Sequence, residues 1–321
     1  MHDTLVAPGS YRGAPIPWWA KIGAKLVLSR LPVPHALWSR LNIFRHSYSS
    51  GETENLVRAA EARIAWFRAR TGRVPHTMLE LGPGEITTCA PVYKALGVER
   101  TIFVDVGDFG TTDVAAYAEV AATAAARGIA PPDLRDAGDR AEVFARCGVT
   151  YCTNGFEDLC ALPEACADLV VSVAVIEHIR RHELAPTFAQ LRRLMKDDGL
   201  AWHAVDFQDH LGGKLANLRF APAVWESGWM SRSGFYTNRV SASQVIALLR
   251  QSGLDVGIEE RTLWPQPPIA RRQVARDLRA EWSDEDLHVC SMRVSASPRQ
   301  DARGTCVSST YLSHRERMIG R

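Results

Sequence analysis

From His76 onward, short apolar stretches alternate with stretches of helical pattern, and this alternation constrains the fold more than any other feature. The segments HTMLELG, RTIFVDVG, VTYCTNG, DLVVSVAVIEHI and LAWHAVDF have the pattern of strands, and helical patterns separate them. Strands spaced in this way form βαβ units, whose parallel sheet is covered by helices on both faces. Right-handed crossovers place the carboxyl ends of these strands at one edge of the sheet. Two further strand patterns, LDVGIEERTLWP and LHVCSMRVSA, follow later in the chain. We therefore predict an α/β fold with a Rossmann-like, mostly parallel seven-stranded sheet.

The same patterns divide the 321 residues into three parts. Residues 1–72 are predicted to form an N-terminal helical extension that caps the domain. Residues 73–297 are predicted to form the α/β domain. Within it, residues 208–240 are rich in Gly, Trp and Asn and are predicted to cross the edge of the sheet as a lid. Residues 298–321 are polar and without periodicity, which predicts a disordered tail.

The N-terminal part has three segments of different character. Residues 1–15 are rich in Gly and Pro and are predicted to be loose. Between Trp18 and Phe44, two helical patterns with aromatic and basic residues are separated by prolines. Such helices can lie on a membrane surface, but their apolar faces are equally suited to packing over a domain. We favour the cap, and peripheral membrane contact is the alternative.

The composition argues against several classes of protein. The formal net charge is only +2, and no aromatic–basic RNA motif is present, so no nucleic-acid partner is expected. The chain has no apolar run of about 18 residues, which argues against a transmembrane helix. Its seven cysteines include no CxxC pair, which is typical of free thiols in a reducing compartment and predicts no metal site. We expect a cytoplasmic protein. No sequence pattern indicates an oligomeric state.

A glycine-rich turn follows the first predicted strand of the domain, in the stretch MLELGPGE. Open parallel sheets bind ligands at the carboxyl ends of their strands, where the winding direction reverses. Dinucleotide-binding folds use GxGxxG there to bring backbone amides close to a pyrophosphate, but here the third glycine is missing. In addition, Glu80 and Glu85 flank the turn, and carboxylates would repel a pyrophosphate but attract a cation. The turn therefore favours a cationic ligand over NAD.

The stretch from Glu80 to Gly84 resembles the first motif of the class I S-adenosylmethionine-dependent methyltransferases, and the resemblance extends over residues 76–206. It implies that the cofactor is S-adenosylmethionine, which carries a sulfonium and an ammonium group. It also implies that Gly82, Pro83 and Gly84 pass close to the methionine part and that Glu80 contacts it directly or through water. Ile86 stands where the family often has a further glycine.

Other cofactor residues follow from the same resemblance. Asp105 ends the second strand, where the family's acid holds the ribose hydroxyls. Phe156 or Glu157, after the third strand, would meet the adenine. Ser172 and Ala174, in the fourth strand, would lie near the cofactor.

The candidate catalytic residues follow the fourth and fifth strands. His178 suits a general base near neutral pH, although a histidine that only supports the loop is an equally good interpretation. Asp206, Asp209 and His210 point at the same edge. They could hold a metal, bind a polar substrate, or simply turn the chain. We predict catalytic roles for His178, Asp206 and His210, and substrate binding for Asp209.

The stretch WESGWMSRSGFYTNR combines aromatic faces with arginines. Aromatic rings pack on sugar rings, and arginine pairs with carboxylate or phosphate groups. The candidate substrate-binding residues are Trp225, Arg232, Tyr236 and Arg239, and the alternative is a lid whose aromatic residues serve only packing. We predict a methyltransferase that acts on a small-molecule or glycan-like acceptor, at oxygen. The alternatives are a non-catalytic S-adenosylmethionine-binding protein, docked on a membrane through residues 18–44, and a nucleotide-dependent oxidoreductase.

Overall fold

A mixed sheet of eight strands forms the centre of the protein in the computed structural model, which describes residues 2–5 and 50–300. The strand order is β1-β7-β8-β6-β5-β2-β3-β4. Strand β8 is antiparallel to both of its neighbours, and the other pairs are parallel. The strands are β1 (His2–Leu5), β2 (Thr77–Leu81), β3 (Arg100–Val104), β4 (Val149–Cys152), β5 (Ala167–Val173), β6 (Met195–Asp206), β7 (Leu254–Leu263) and β8 (Val289–Pro298).

Helices cover both faces of the sheet, and each face has its own apolar core. Alternate residues of a strand point to opposite faces, so Leu79 joins one core while Met78 joins the other. One face carries α1 (Ser50–Thr71), α2 (Ala90–Ala95), α3 (Val114–Ala126) and α4 (Arg140–Cys147), and the other carries α5 (Phe156–Ala161), α6 (Arg181–Leu194) and α8 (Ala242–Gln251). The Rossmann-like α/β fold is confirmed.

Local signals in the sequence set the ends of the helices. Asp139 caps α4 by accepting a hydrogen bond from the backbone N–H of Glu142, and Gly148 ends that helix in the left-handed conformation. Helix α8 begins with a capping box in which Ser241 and Gln244 each bond the other's backbone N–H. These are the positions at which polar residues and glycine interrupt the helical pattern.

The prediction that residues 1–15 are loose is wrong for residues 2–5, which form β1. This strand pairs in parallel with β7, and the carboxylate of Asp3 accepts two hydrogen bonds from the guanidinium of Arg261. The edge of a sheet offers unpaired backbone groups to any neighbouring segment, and β1 uses those of β7. The sheet therefore has eight strands where seven were predicted. The predicted helices between Trp18 and Phe44 and most of the predicted tail lie outside the described residues.

The winding direction of the sheet reverses between β2 and β5. The chain runs from β2 outward to β3 and β4, and then returns to place β5 on the other side of β2. The carboxyl ends of these parallel strands share one edge, which we call the carboxyl edge. In an open α/β sheet this reversal creates a crevice between the two turns that follow the central strands. The turns after β2 and β5 therefore define the site.

Two excursions of the chain lie at the carboxyl edge. Residues 207–241 connect β6 to α8 and include the short helix α7 (Pro222–Trp225), and residues 264–288 connect β7 to β8. A shared apolar cluster joins them, with Leu215 and Leu218 from the first and Trp264 and Trp282 among the members that belong to the second. The second excursion was not predicted. Among residues 2–5 and 50–300, no helix combines the length and hydropathy that crossing a membrane requires.

Candidate active site

The glycine turn after β2 is shaped by its contact with the turn after β5. Gly82 and Gly84 have φ angles of 63° and 50°, which favour glycine. The N–H of Gly82 donates a hydrogen bond to the carbonyl of Val104 at 2.7 Å. A Cβ atom at Gly82 would lie only 2.5 Å from Cγ2 of Val175. The two turns that flank the reversal of the sheet therefore touch, and only glycine fits at their contact.

Asp105 lies at the end of β3 and joins the glycine turn through its carboxylate. Oδ2 accepts a hydrogen bond from the N–H of Gly84 at 3.0 Å, and Oδ1 accepts one from the N–H of Val106 at 2.7 Å. Burial raises the pKa of Asp105, and these two hydrogen bonds oppose the shift. Each carboxylate oxygen has a further lone pair, so Asp105 can still accept hydrogen bonds from two adjacent hydroxyls.

Apolar side chains are exposed next to Asp105. Val106, Phe109 and Phe156 are 80%, 56% and 39% exposed. Gly155 links this region to Asp105, because its N–H donates to the Asp105 carbonyl at 2.8 Å. Exposed apolar surface beside the carboxylate of Asp105 suits the flat ring of an adenine, which aromatic faces bind well. Of the two residues predicted for this role, Phe156 lies in this surface, and Glu157 is exposed in the first turn of α5.

Glu80 is buried and is held by partners from two helices. Its Oε1 accepts a hydrogen bond from Nη1 of Arg63 at 3.2 Å, and its Oε2 accepts one from the hydroxyl of Tyr93 at 3.1 Å. Only 1% of Glu80 is exposed, and burial raises the pKa of its carboxyl group, with Arg63 and the Tyr93 hydrogen bond opposing the shift. This geometry favours a contact with the cofactor through Arg63 or water over a direct one.

Ser172 and Ala174, predicted to lie near the cofactor, have different surroundings. Ser172 is fully buried, and its hydroxyl bonds Nδ1 of His203 at 2.8 Å inside the sheet–helix layer. Burial lowers the pKa of His203 to about 4, so this pair is neutral and structural. The geometry does not support a Ser172 contact with the cofactor, because strand alternation turns its side chain into the core. Ala174 has a φ of 53° and lies at the carboxyl edge.

His178 and His210 form a pair at the same edge. Their Nε2 atoms lie 3.2 Å apart, and the rings are nearly parallel, at an angle of 10°. Nδ1 of His178 lies 3.1 Å from the carbonyl of Tyr236 and must be the donor, because a carbonyl only accepts. In neutral His178, Nε2 then carries the lone pair, so the proton between the rings belongs to Nε2 of His210. Burial and the neighbouring His210 lower the pKa of His178, while the Tyr236 carbonyl opposes the shift.

Two carboxyl groups lie beside the histidine pair. Glu177 is 4% exposed, and burial raises its pKa to about 8. Its Oε1 accepts a hydrogen bond from the N–H of Asp206 at 3.3 Å. Asp206 accepts one from the N–H of Gln208 at 2.9 Å, and burial raises the Asp206 pKa as well. Elevated carboxyl pKa values of this kind are typical of functional sites. The structure thus brings His178, His210 and Asp206 together at the carboxyl edge.

The family match agrees with this geometry. Residues 104–202 match the model of a family described as a methyltransferase domain. The protein is a class I S-adenosylmethionine-dependent methyltransferase. No curated protein matches the sequence.

Solved structures that are similar to the methyltransferase come from several organisms. A S-adenosylmethionine-dependent methyltransferase from Mesorhizobium loti is 17% identical, with a TM-score of 0.39, over 75% of this chain and 99% of that one. An O-methyltransferase family protein from Burkholderia thailandensis is 12% identical, with a TM-score of 0.41, over 88% of this chain and 68% of that one. The Haloferax volcanii complex of the Trm112 activator with a methyltransferase gives 15% identity and a TM-score of 0.40, over 78% of this chain and 94% of that one. The identification rests on the domain match and on the geometry of the site.

The residues present at the glycine turn fit the cofactor. Gly82 leaves no room for a side chain, and nothing lies within 4 Å of the position that a Cβ atom would take at Gly84, so a ligand can approach the backbone there. Asp105 has lone pairs for the ribose hydroxyls. Nε of Arg63 is buried and has no hydrogen-bond partner among the described residues. S-adenosylmethionine supplies an electrophilic methyl group on a sulfonium, and these groups would hold its nucleoside and amino-acid parts.

A cleft of about 280 Å³ opens at the carboxyl edge beside Ala174 and Asp206 of the methyltransferase. An ion pair crosses it, since Nη2 of Arg293 lies 3.0 Å from Oε2 of Glu260. Oε1 of Gln208 is buried and finds no partner among residues 2–5 and 50–300. The sequence analysis did not predict a role for Gln208, Glu260 or Arg293, which line this cleft. The available signal for Arg293 is a charge within the otherwise small and apolar strand pattern CSMRVSA.

Most of the predicted substrate-binding residues instead hold the first excursion together. The carboxylate of Asp209 accepts hydrogen bonds from the N–H groups of Leu211, Gly212 and Ala216, and the residue is 2% exposed. Trp225 is fully buried and donates a hydrogen bond to the Thr237 carbonyl at 2.7 Å. The loop geometry therefore accounts for both side chains, and the prediction that they bind the acceptor is not supported by their orientation.

Tyr236, Arg239 and Arg232 are also engaged within this excursion. The hydroxyl of Tyr236 donates to Glu226 at 2.8 Å, and Arg239 pairs with the same carboxylate at 3.0 Å while its side chain is fully buried. Arg232 is exposed, and its Nε donates to the Gly228 carbonyl at 2.6 Å. The alternative, a packed lid, fits Tyr236 and Arg239 better than acceptor binding does. In the part of the chain that the structure describes, no three His, Cys, Asp or Glu side chains form a group that could hold a metal ion.

Proposed function

We propose that this methyltransferase transfers the methyl group of S-adenosylmethionine to an oxygen atom of a small-molecule or glycan-like acceptor. The observation that carries the proposal is the hydrogen-bonded pair of His178 and His210 beside Asp206. Methylation of a hydroxyl forms a C–O bond, breaks the bond between the methyl carbon and the sulfonium, and releases the hydroxyl proton. A base that is neutral near pH 7 can take up this proton, and imidazole has the appropriate pKa.

The histidine pair can take up a proton without losing its hydrogen bond. In the assigned tautomers, Nε2–H of His210 donates to Nε2 of His178. When His210 takes up the proton it becomes an imidazolium, and the lone pair of His178 stabilises it through the shared hydrogen bond. The negative charge of Asp206 favours the same charged state. His178 is the partner that orients the base, and the Tyr236 carbonyl fixes its tautomer.

The cleft beside Ala174 supports a small polar acceptor. Its volume of about 280 Å³ lies just below the range that is typical of ligand pockets, roughly 300–1,000 Å³, and so favours a small acceptor. Carboxylate and amide oxygens from Asp206, Gln208 and Glu260 line it, and these groups accept hydrogen bonds from hydroxyls. Arg293 is the cation at the same cleft, although it is paired with Glu260. A polyhydroxylated ring fits this set of acceptors better than an apolar molecule does.

A labelled methyl donor tests the proposal. Purified protein is incubated with S-adenosylmethionine that carries a ¹³C methyl group and with pools of saccharides, phenols, amines and carboxylic acids. Mass spectrometry identifies the methylated product, and the ¹³C chemical shift of the new methyl group shows which atom accepted it. An O-methyl product that disappears in His210→Gln but persists in His182→Gln supports the proposal. His182 is the matched control, because its side chain is 75% exposed on α6. An N-methyl or C-methyl product would contradict it.

We further propose that the methyltransferase works in the cytoplasm. The six described cysteines are all free, and three of them, Cys89, Cys147 and Cys290, are buried. Free thiols persist in reducing compartments, whereas oxidising compartments favour disulfides. Cell fractionation with an antibody against the full chain tests this localisation, and recovery of the protein in a secreted or membrane fraction would contradict it.

A further inference from the structure

Arg63 is a buried cation that is attached to the strand carrying the cofactor turn. It lies on α1 and is 7% exposed. Its Nη1 donates hydrogen bonds to Oε1 of Glu80 at 3.2 Å and to the hydroxyl of Tyr93 at 2.6 Å. Glu80 lies in β2 and precedes Gly82 by two residues, so one corner of the guanidinium is held by the strand that leads into the turn.

The other side of the same guanidinium is not satisfied. Nε of Arg63 is buried and lacks a hydrogen-bond partner among the described residues. The Cζ atom lies 5.7 Å from the centre of the Trp202 ring, which covers one face of the group but accepts no conventional hydrogen bond. Buried donors are rarely left without a partner, because the loss of solvation is costly. An orphaned donor at a ligand site therefore indicates a group that arrives with the ligand.

The shape of the unsatisfied edge identifies the chemical class of that group. Nε and Nη2 of a guanidinium point their hydrogens in parallel, and a carboxylate can accept both at once. S-adenosylmethionine ends in an α-carboxylate and an α-ammonium. Arg63 and Glu80 form a pair of opposite charges that is complementary to this end of the molecule. The cofactor therefore carries the group that the orphaned edge lacks, on the part that the glycine turn is expected to hold.

We propose that Arg63 binds the α-carboxylate of S-adenosylmethionine through the edge formed by Nε and Nη2. Tyr93 and Glu80 act as positioning residues, because they fix Nη1 and so the plane of the guanidinium. This proposal rests on the cofactor and is independent of the acceptor. A carboxylate on the acceptor would offer the same chemistry, and the experiment separates the two sources.

The experiment compares S-adenosylmethionine with decarboxylated S-adenosylmethionine, which keeps the sulfonium, the amine and the nucleoside. Calorimetry gives the Kd of each ligand for the full chain and for Arg63→Gln and Arg63→Lys. The wild type is expected to bind S-adenosylmethionine at least tenfold more tightly than the decarboxylated ligand, because two charge-assisted hydrogen bonds are lost. This ratio is expected to approach one in Arg63→Gln and to be intermediate in Arg63→Lys, which keeps a cation beside Glu80. Arg58→Gln, on the same helix but with a side chain that is 64% exposed, should keep the wild-type ratio.

Each result supports or overturns the proposal. The ratio within one variant cancels any general loss of stability, and circular dichroism confirms that each variant is folded. If Arg63→Gln does not fold, the ratios of the wild type and of Arg63→Lys decide. A wild-type ratio of the two Kd values below two would overturn the proposal. A wild-type ratio that is unchanged in Arg63→Gln would also overturn it, since the carboxylate of the cofactor would then be held elsewhere. If neither ligand binds the wild type, the cofactor assignment itself fails, and that failure is distinct from a lost preference.

Discussion

The Nε2 atoms of His178 and His210 lie 3.2 Å apart, although 32 positions separate the residues in the chain. His178 follows β5, and His210 lies in the excursion after β6, so the carboxyl edge of the parallel sheet brings them together. A parallel sheet places residues that are distant in sequence at one edge, and this is why such folds build sites there. The pair also ties the first excursion to the turn after β5, because His178 bonds the Tyr236 carbonyl.

Replacement of either histidine by glutamine should lower the turnover of the methyltransferase. We expect kcat to fall by a factor of roughly 10²–10⁴ in His210→Gln, because a general base commonly contributes that much. The kcat of His178→Gln should fall by less, since this substitution removes the residue that orients the base and not the base itself. Initial rates of methyl transfer to the product found in the labelling experiment measure both. Equal and unchanged kcat values in the two variants would remove the pair from the mechanism.

The pH dependence of turnover should report the same pair. Protonated His178 has no lone pair on Nε2 with which to accept the hydrogen bond from His210, so activity should fall as the pH drops through the pKa of His178. Burial and His210 lower the pKa of His178 below its ordinary value, so the wild type should keep activity at a pH below about 6.5. A pH–kcat profile of the wild type measures the position of this acidic limb, and a limb above the ordinary histidine pKa of about 6.5 would contradict the prediction.

Asp105 should be required for cofactor binding. An amide in its place can accept with one oxygen only, whereas the carboxylate already binds the N–H groups of Gly84 and Val106 and must also accept from two hydroxyls. Asp105→Asn should raise the Kd for S-adenosylhomocysteine by at least about tenfold, the loss of one charge-assisted bond. Asp108→Asn is the matched control, because Asp108 pairs with Arg140 on the surface. Equal Kd values in the two variants would show that Asp105 holds no part of the cofactor.

Much of the fold could be predicted because its signals are local. Strand patterns from His76 onward and the glycine turn depend on neighbours in the sequence, and the predicted strands appear in the structure. Strand β1 was missed because its four residues carry no period of their own and form a strand only against the edge of β7.

The site was less predictable, because a sequence shows what a side chain can do but not where it points. Trp225 and Arg239 have the chemistry to bind a sugar, yet the structure turns both into the core of an excursion. Conversely, Arg63 lies outside every recognised motif, and only the packing of α1 against β2 brings it to Glu80. The cleft residue Arg293 likewise belongs to the last strand, far in sequence from the glycine turn.

Gly82 should be among the most sensitive positions for stability. An alanine there would adopt a φ of 63° and would place its Cβ atom 2.5 Å from Cγ2 of Val175. We expect Gly82→Ala to lower the free energy of unfolding by about 2–4 kcal/mol, from backbone strain and overpacking together. Gly84→Ala meets no atom within 4 Å and should show only the backbone strain, about 1 kcal/mol. Urea denaturation measures both, and adding Val175→Ala should partly rescue Gly82→Ala. No rescue would mean that the contact of the two turns is not the cause.

Glu177 should make the stability of the methyltransferase depend on pH. Burial raises the pKa of this carboxyl group to about 8, and no described residue bonds its Oε2. The folded state therefore prefers the protonated form, while the unfolded chain ionises near the ordinary glutamate pKa of about 4.3. The contribution of Glu177 to the free energy of unfolding is fully present below about pH 4.3. It is lost as the pH rises from about 4.3 to about 8, and above about pH 8 it no longer changes. Glu177→Gln cannot ionise, so we expect it to be more stable than the wild type at pH 9, by on the order of 5 kcal/mol, and nearly equal at pH 4.5. Urea unfolding of both proteins across this range measures the difference, and a difference that does not change with pH would show that Glu177 is ionised in the fold.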